Sequence, residues 1–272
     1  MDTSLGGAEI CSLEDLREYI PLTRRYNYLN SCTFGPVPRS VQDCMADALR
    51  VENEEIIAIR GKDAGVRFYD RAERARHTLA DLLGVSAGDV AWTYNTTTAS
   101  RLAIMGVDWQ AGDRLAVSDV EHVSTMRAAA GLAQSRGVET TVIPSTGLSE
   151  TVYAGPDLFL EQLDRLLTPA HRMLVMSHVS NIDGRRLPVA EAARFARARG
   201  VRTLVDGAQS LGIFPVDAGA IGADFYSGRS TSGFWVLLGL GFSSSPVKAG
   251  GTSTPFICLF PWVMRVALEA SR

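Results

Sequence analysis

Asp206 closes a short apolar run, Thr203-Leu-Val-Asp206, and is followed by small residues and the amide of Gln209 before Gly212. A lone acid at the end of such a run is what a buried strand delivers to a pocket at its carboxyl end, where it suits a cation or a hydrogen-bond donor. Three more stretches share this pattern. Asn95-Thr96-Thr97-Thr98 opens a helical segment, where free backbone N–H groups and the helix dipole favour an anion such as phosphate. His122, after Asp119-Val-Glu, carries an imidazole able to stack on a flat ring or move a proton, and it is the catalytic candidate. Asn181, within Ser177–Gly184, offers an amide to a ring oxygen. Each has a plainer reading: Asn95 as an N-cap, His122 as a structural imidazole, Asn181 in a polar turn closed by Gly184, and Asp206 capping the loop that follows it.

The elements that would position these groups alternate. Ser12 reads as the N-cap of a first amphipathic helix, and Tyr28–Pro38 as an irregular loop. Helical periods run from Ser40 past Leu49 and from about Arg67 to Leu83, the latter stopped by Gly84. Strands are expected at 90–94, 114–118, 139–143, 173–176 and 203–205. Helices are expected between them at 97–106, 124–136, 158–167 and 189–199. This alternation predicts an α/β protein in three layers, a mainly parallel sheet with helices on both faces, with ligands gathered where the strands end.

Composition agrees with a globular chain and excludes several classes. The 272 residues are 46% hydrophobic with a net charge of -3, which gives no footprint for a polyanion such as nucleic acid. No apolar run is long enough to span a membrane and no secretory signal opens the chain, so a cytoplasmic location is expected. Cys11, Cys32, Cys44 and Cys258 lack metal-ligand spacing and read as reduced thiols; no metal is expected. Only two lysines, Lys62 and Lys248, stand against twenty-five arginines.

Taken together, a phosphate cradle, a stacking imidazole, an amide and a carboxylate on successive strands suit a flat, phosphorylated heteroaromatic ring. Pyridoxal 5'-phosphate fits best, because a carboxylate keeps its pyridine nitrogen protonated and the ring then accepts negative charge from an adjoining carbon. That chemistry also calls for a lysine to hold the cofactor and shuttle protons.

The segment from about Tyr28 to Gly228 resembles the class V aminotransferase superfamily of fold-type I pyridoxal phosphate enzymes, such as isopenicillin N epimerase, cysteine desulfurases and kynureninase. The resemblance rests on Tyr28-Leu-Asn-Ser-Cys-Thr-Phe-Gly-Pro36, Asn95-Thr-Thr-Thr98, Glu121-His122, His178-Val-Ser-Asn-Ile-Asp-Gly184, Asp206-Gly-Ala-Gln-Ser210 and Gly222-Ala-Asp-Phe-Tyr226. It implies that Thr96 and Thr97 bind phosphate, His122 stacks on the ring, Asp206 pairs with the pyridine nitrogen, and Asn181 and Gln209 contact the ring oxygen. The loop carrying Asn30 and Thr33 would approach the carboxylate of an amino-acid substrate. The reaction would be epimerisation, transamination or carbon-sulfur cleavage, in a homodimer. By the same resemblance, residues 1–60 contribute to a small domain and the substrate loop, 61–242 form an incomplete large domain, and 243–272 are an atypical tail; the C-terminal small domain is missing.

The chain departs from the family after Tyr226. Members continue Ser-Gly-x-x-His-Lys-Trp, and here Ser232 stands at the position of the cofactor-holding lysine. A one-base shift of reading frame permits Thr231–Gly239 to become His-Lys-Trp-Phe-Leu-Gly-Pro-Leu-Gly, the family's own phrase in the right place. The expectation is therefore a frameshift near Arg229, a tail without a selected fold, and an impaired enzyme. The alternatives are a natural strand and helix completing a shortened sheet, and a non-catalytic pseudo-enzyme or truncated gene product that at most binds the cofactor without a covalent bond. Cys32, close to the expected substrate loop, is a further candidate as a persulfide-forming nucleophile, against a plain reading as a small buried residue.

Overall fold

The computed structural model describes residues 4–5, 8–9, 12–33, 35–51, 53–54, 62–145, 156–229 and 235–239. A two-stranded ribbon, β1 (Ser4–Leu5) and β2 (Ala8–Glu9), precedes α1 (Leu13–Tyr19), whose N-cap Ser12 accepts from the N–H of Asp15 as expected. Then come α2 (Arg39–Val51) and α3 (Lys62–Leu83), the latter starting five residues earlier than its apolar period suggested. Gly84 ends α3 with φ of 65°, a left-handed conformation that favours glycine.

The main sheet follows as β3 (Val90–Trp92), α4 (Thr96–Met105), β4 (Arg114–Ser118), α5 (Val123–Arg136), β5 (Glu139–Ile143), α6 (Pro156–Leu166), β6 (His171–Ser177), α7 (Val189–Arg197), β7 (Arg202–Asp206), a short α8 (Ala218–Ile221), β8 (Phe225–Arg229) and β9 (Trp235–Gly239). Its order is β3-β9-β8-β7-β6-β4-β5. Strands β5, β4, β6, β7 and β8 pair in parallel, while β9 runs antiparallel between β8 and β3.

The expected three layers follow from period-two alternation in strands buried on both faces. Leu115, Val117, Met173, Val175 and Leu204 face one side, packed with Ile104 of α4 and Ala129 and Leu132 of α5. Ala116, Leu174, Met176 and Val205 face the other, with Leu79 and Leu83 of α3, Phe159 and Leu163 of α6 and Ala192 and Ala196 of α7.

Two expectations fared differently at the end of the chain. Ser232, Lys248, Cys258 and the tail from 243 lie outside the described residues, as do Cys11 and Phe34. Beyond Arg229, where a tail without a selected fold stands against a natural strand and helix, the described residues form a strand at Trp235–Gly239. Pairing between β8 and β3 needs only an extended stretch with free backbone groups, which the apolar run Trp235-Val-Leu-Leu238 supplies whether or not that stretch was selected. Among the described residues, no helix is long and apolar enough to cross a membrane.

Candidate functional site

The carboxyl ends of β4, β6 and β7 and the first turn of α4 surround a cleft of about 420 Å³. Thr33, Thr96, Thr97, His122, Asn181, Asp206 and Gln209 all line it, with Cys32, Ser124 and Ser177. Asn30 sits behind the wall, where its Oδ1 accepts from Thr33 Oγ1 at 2.8 Å and from Cys32 Sγ at 3.3 Å. Cys32 is exposed, so its plain reading as a small buried residue is corrected.

One end of the cleft is built for an anion. Asn95 caps α4, its Oδ1 accepting from the N–H of Thr98 at 2.7 Å and from Thr98 Oγ1 at 2.9 Å. That leaves the N–H groups of Thr96 and Thr97 without a protein acceptor among the described residues. Thr96 is 8% exposed, and its hydroxyl is buried with no hydrogen-bond partner. An orphan hydroxyl beside free N–H groups at a helix start is the donor set a phosphate takes.

The floor is acidic. Asp206 is 6% exposed, and its Oδ1 accepts from the N–H of Ala208 at 2.9 Å. Burial pushes its carboxyl up, while the Ala208 bond and the nearby His122 ring pull it back. The loop after it is fixed from behind: Ser210 Oγ bonds the carbonyl of Gly207 at 3.0 Å and Tyr226 Oη at 2.7 Å, and Tyr226 Oη lies 3.1 Å from His178 Nδ1. The ring of Tyr226 packs so closely on Gly207 that an added Cβ would fall 2.3 Å from it.

Between the two ends lies His122. Its Nδ1 accepts from the N–H of Ser124 at 3.2 Å and lies 2.7 Å from Ser124 Oγ, so it caps α5 and the neutral ring carries its proton on Nε2. Asn181 is exposed, in a turn organised by Ser180 Oγ and closed by Gly184 at φ of 73°. For Asn95, His122, Asp206 and the Asn181 turn, the capping reading and the cleft-lining position hold together, because the strand-to-helix turns that need capping are the ones facing the cleft.

Gln209, expected to contact the ring oxygen, is engaged elsewhere in this structure. Its Nε2 donates to the carbonyl of Cys32 at 2.9 Å, closing the loop across the cleft. Cys32, Val179, Asn181, Ala208 and Gln209 also wall a second chamber of about 400 Å³, which Ile182 and Ile213 help to line.

Three residues here gained no role from sequence. Glu121, 7% exposed, accepts with Oε1 from Ser118 Oγ at 2.6 Å and from the N–H of Ser177, while its Oε2 is buried and unpartnered. Burial first, and the charge of Asp206 second, push its carboxyl up to about 7. His178, 1% exposed with Nε2 unpartnered, is pushed down to about 4 by burial and by Arg186. Tyr226 is the third. All three lie within the quoted motifs, but nothing local distinguishes a buried acid or imidazole from a surface one.

The family model for class-V aminotransferases matches residues 27–231. The cysteine desulfurase of Dickeya dadantii (strain 3937) is 35% identical over 222 residues, which are 78% of this chain and 52% of that protein. The isopenicillin N epimerase of Amycolatopsis lactamdurans is 28% identical over 241 residues, 88% of this chain and 58% of that one. The chain thus spans between half and three-fifths of these two relatives. Among solved structures, a mutant of the cystine C-S lyase C-DES with glycine covalently linked to its PLP cofactor superposes with a TM-score of 0.78 at 21% identity, covering 94% of this chain and 72% of that one. At that identity the likeness shows the shared fold.

Proposed function

The chain belongs to the class-V aminotransferase family, and from that premise we propose that its cleft binds pyridoxal 5'-phosphate and receives a small amino acid beside it. The observation that carries the reading is a single cleft with an anion cradle at Thr96 and Thr97 and a buried carboxylate at Asp206. A phosphate at one end and a protonated ring nitrogen at the other satisfy both.

When bound, the cofactor supplies an electron sink for charge developing beside the substrate nitrogen. The residues of the cleft bind and orient it. Thr96 Oγ1 and the first N–H groups of α4 hold the phosphate, and Asp206 keeps a proton on the ring nitrogen. His122 lies between them and offers Nε2–H toward the ring. The Asn181 amide serves the ring oxygen, with Gln209 joining it only when its bond to Cys32 is released. Thr33, supported by Asn30, faces the substrate carboxylate, and the second chamber receives the side chain. Epimerisation, transamination and carbon-sulfur cleavage share these binding contacts and need a lysine besides.

A second reading is favoured by Ser232, since a serine hydroxyl cannot replace a lysine amine as covalent anchor and base. On it, the cofactor is held without a covalent bond and turnover falls by orders of magnitude. Titrating the full chain with pyridoxal phosphate while following absorbance and intrinsic fluorescence tests binding; no saturable change would refute the main reading. Borohydride treatment and peptide mass then separate the two. Cofactor mass on a lysine peptide rejects the second reading, and dissociable cofactor supports it. Sequencing the gene across codons 225–235 checks the frameshift expectation, which codons incompatible with His-Lys-Trp would end.

A further inference from the structure

Two carboxyl groups are buried together under the cleft. Glu121 lies just beyond the end of β4, and its Oε1 takes the N–H of Ser177 at the end of β6. Ser177 is the register partner of Asp206 on β7, and the next residue, His178, donates its N–H to the Asp206 carbonyl at 2.8 Å. Neither acid has a basic side chain bonded to it among the described residues. Two carboxylates in such a position repel, so the second to ionise does so at higher pH.

The geometry decides which oxygen holds the proton. Oε1 of Glu121 already accepts from Ser118 Oγ and from Ser177 N–H, so a proton on this acid sits on Oε2, the buried atom without a partner. The other groups nearby favour Asp206 as the anion: Ala208 N–H bonds it and the His122 ring lies close. Asp119, on the same turn as Glu121, is engaged by the N–H of Ser145 at 2.9 Å, and His178 beyond Ser177 is held neutral.

We propose that Glu121 is a positioning residue for Asp206: it holds the proton of the buried acid pair on Oε2, leaves the charge on Asp206, and releases that proton when a cationic ring binds at the cleft floor. The last part rests on the reading of the cleft as a site for pyridoxal phosphate. A cation against Asp206 cancels much of the field that disfavours ionised Glu121. Its proton then leaves to solvent, and by linkage the affinity strengthens as pH rises toward about 7.

Glu121→Gln keeps an oxygen for both bonds and cannot ionise. The full chain and this variant are compared for pyridoxal phosphate dissociation constant as pH rises toward about 7, and for protons released on binding, by calorimetry in buffers of different ionisation enthalpy. The expected result is a wild-type affinity that gains about tenfold over the variant per unit of lowered Glu121 pKa, with proton release reduced in the variant. A ratio of dissociation constants that stays constant with pH would overturn the proposal.

Infrared spectroscopy of the ligand-free protein gives an independent readout. A protonated carboxyl band just below neutral pH, missing in Glu121→Gln, is expected, and its absence in the wild type would also overturn the proposal. Should neither protein bind pyridoxal phosphate, the function proposed above fails, and the band alone decides whether Glu121 holds the proton. Should Glu121→Gln not fold, Asp206→Asn serves instead: the Glu121 band must then titrate at lower pH, and an unmoved titration refutes the pairing.

Discussion

The side-chain amide of Gln209 donates to the main-chain carbonyl of Cys32 across 2.9 Å and 177 positions of sequence. It ties the early loop that carries Asn30 and Thr33 to the turn that follows β7, and so closes one wall of the cleft. Gln209→Ala should leave the fold intact, since a bond at this exposure contributes about 1 kcal/mol. Hydrogen exchange at Ser31, Cys32 and Thr33 should rise several-fold, and unchanged exchange there would show that the loop is held by something else.

Gly207 is fixed by the ring of Tyr226, with atoms 2.3 Å from where a Cβ would stand. The Asp206 carbonyl and the Gly207 N–H are bonded to His178 and Ser227, so the backbone has little room to retreat. Gly207→Ala should destabilise the chain by roughly 1–3 kcal/mol or more through overpacking. A drop in melting temperature checks this; an unchanged value would mean that Tyr226 moves freely.

At the anion end, Thr96→Val removes a buried hydroxyl that has no partner. The expected outcome is equal or slightly higher thermal stability together with a several-fold weaker affinity for pyridoxal phosphate, because replacing an orphan polar atom by a methyl is neutral or favourable until a ligand needs it. Asp206→Asn should lower the same affinity roughly ten- to a hundredfold without loss of stability. Variants that lost stability and affinity together would place both residues in the scaffold alone.

Two buried groups set opposing pH dependences of stability. Glu121 is raised from 4.5 to about 7, so the native state keeps a proton that the unfolded chain has lost. Its contribution is complete below 4.5 and disappears as pH rises to about 7. Asp206 acts in the same sense. His178 is lowered from 6.5 to about 4, so its contribution is complete above 6.5 and disappears as pH falls toward 4. The windows overlap and the slopes partly cancel. Removing one side with Glu121→Gln should make the melting temperature climb more steeply with pH across the window than in the wild type. Parallel melting curves would contradict the assignment.

The sequence by itself determined the alternation of strands and helices, because apolar runs such as Leu115–Val117 and Met173–Met176 have a period and length that need no partner to read. It also gave four of the strand-end groups, since Thr96, His122, Asn181 and Asp206 stand where a run stops. Boundaries moved by a few residues wherever local pattern was weak, as at the start of α3. Tertiary structure decided what depends on distance between strands that are remote in the chain. Only the order β7-β6-β4 sets Glu121 beside Asp206, and only the approach of the early loop spends the Gln209 amide on Cys32. Burial of Glu121 and His178, and hence their proton affinities, depends on the packing of elements remote in the chain, such as Ser177 against Glu121 at 56 positions and Tyr226 against His178 at 48. Sequence fixes which groups a residue carries; the dielectric and the partners around them are set by what the fold brings alongside.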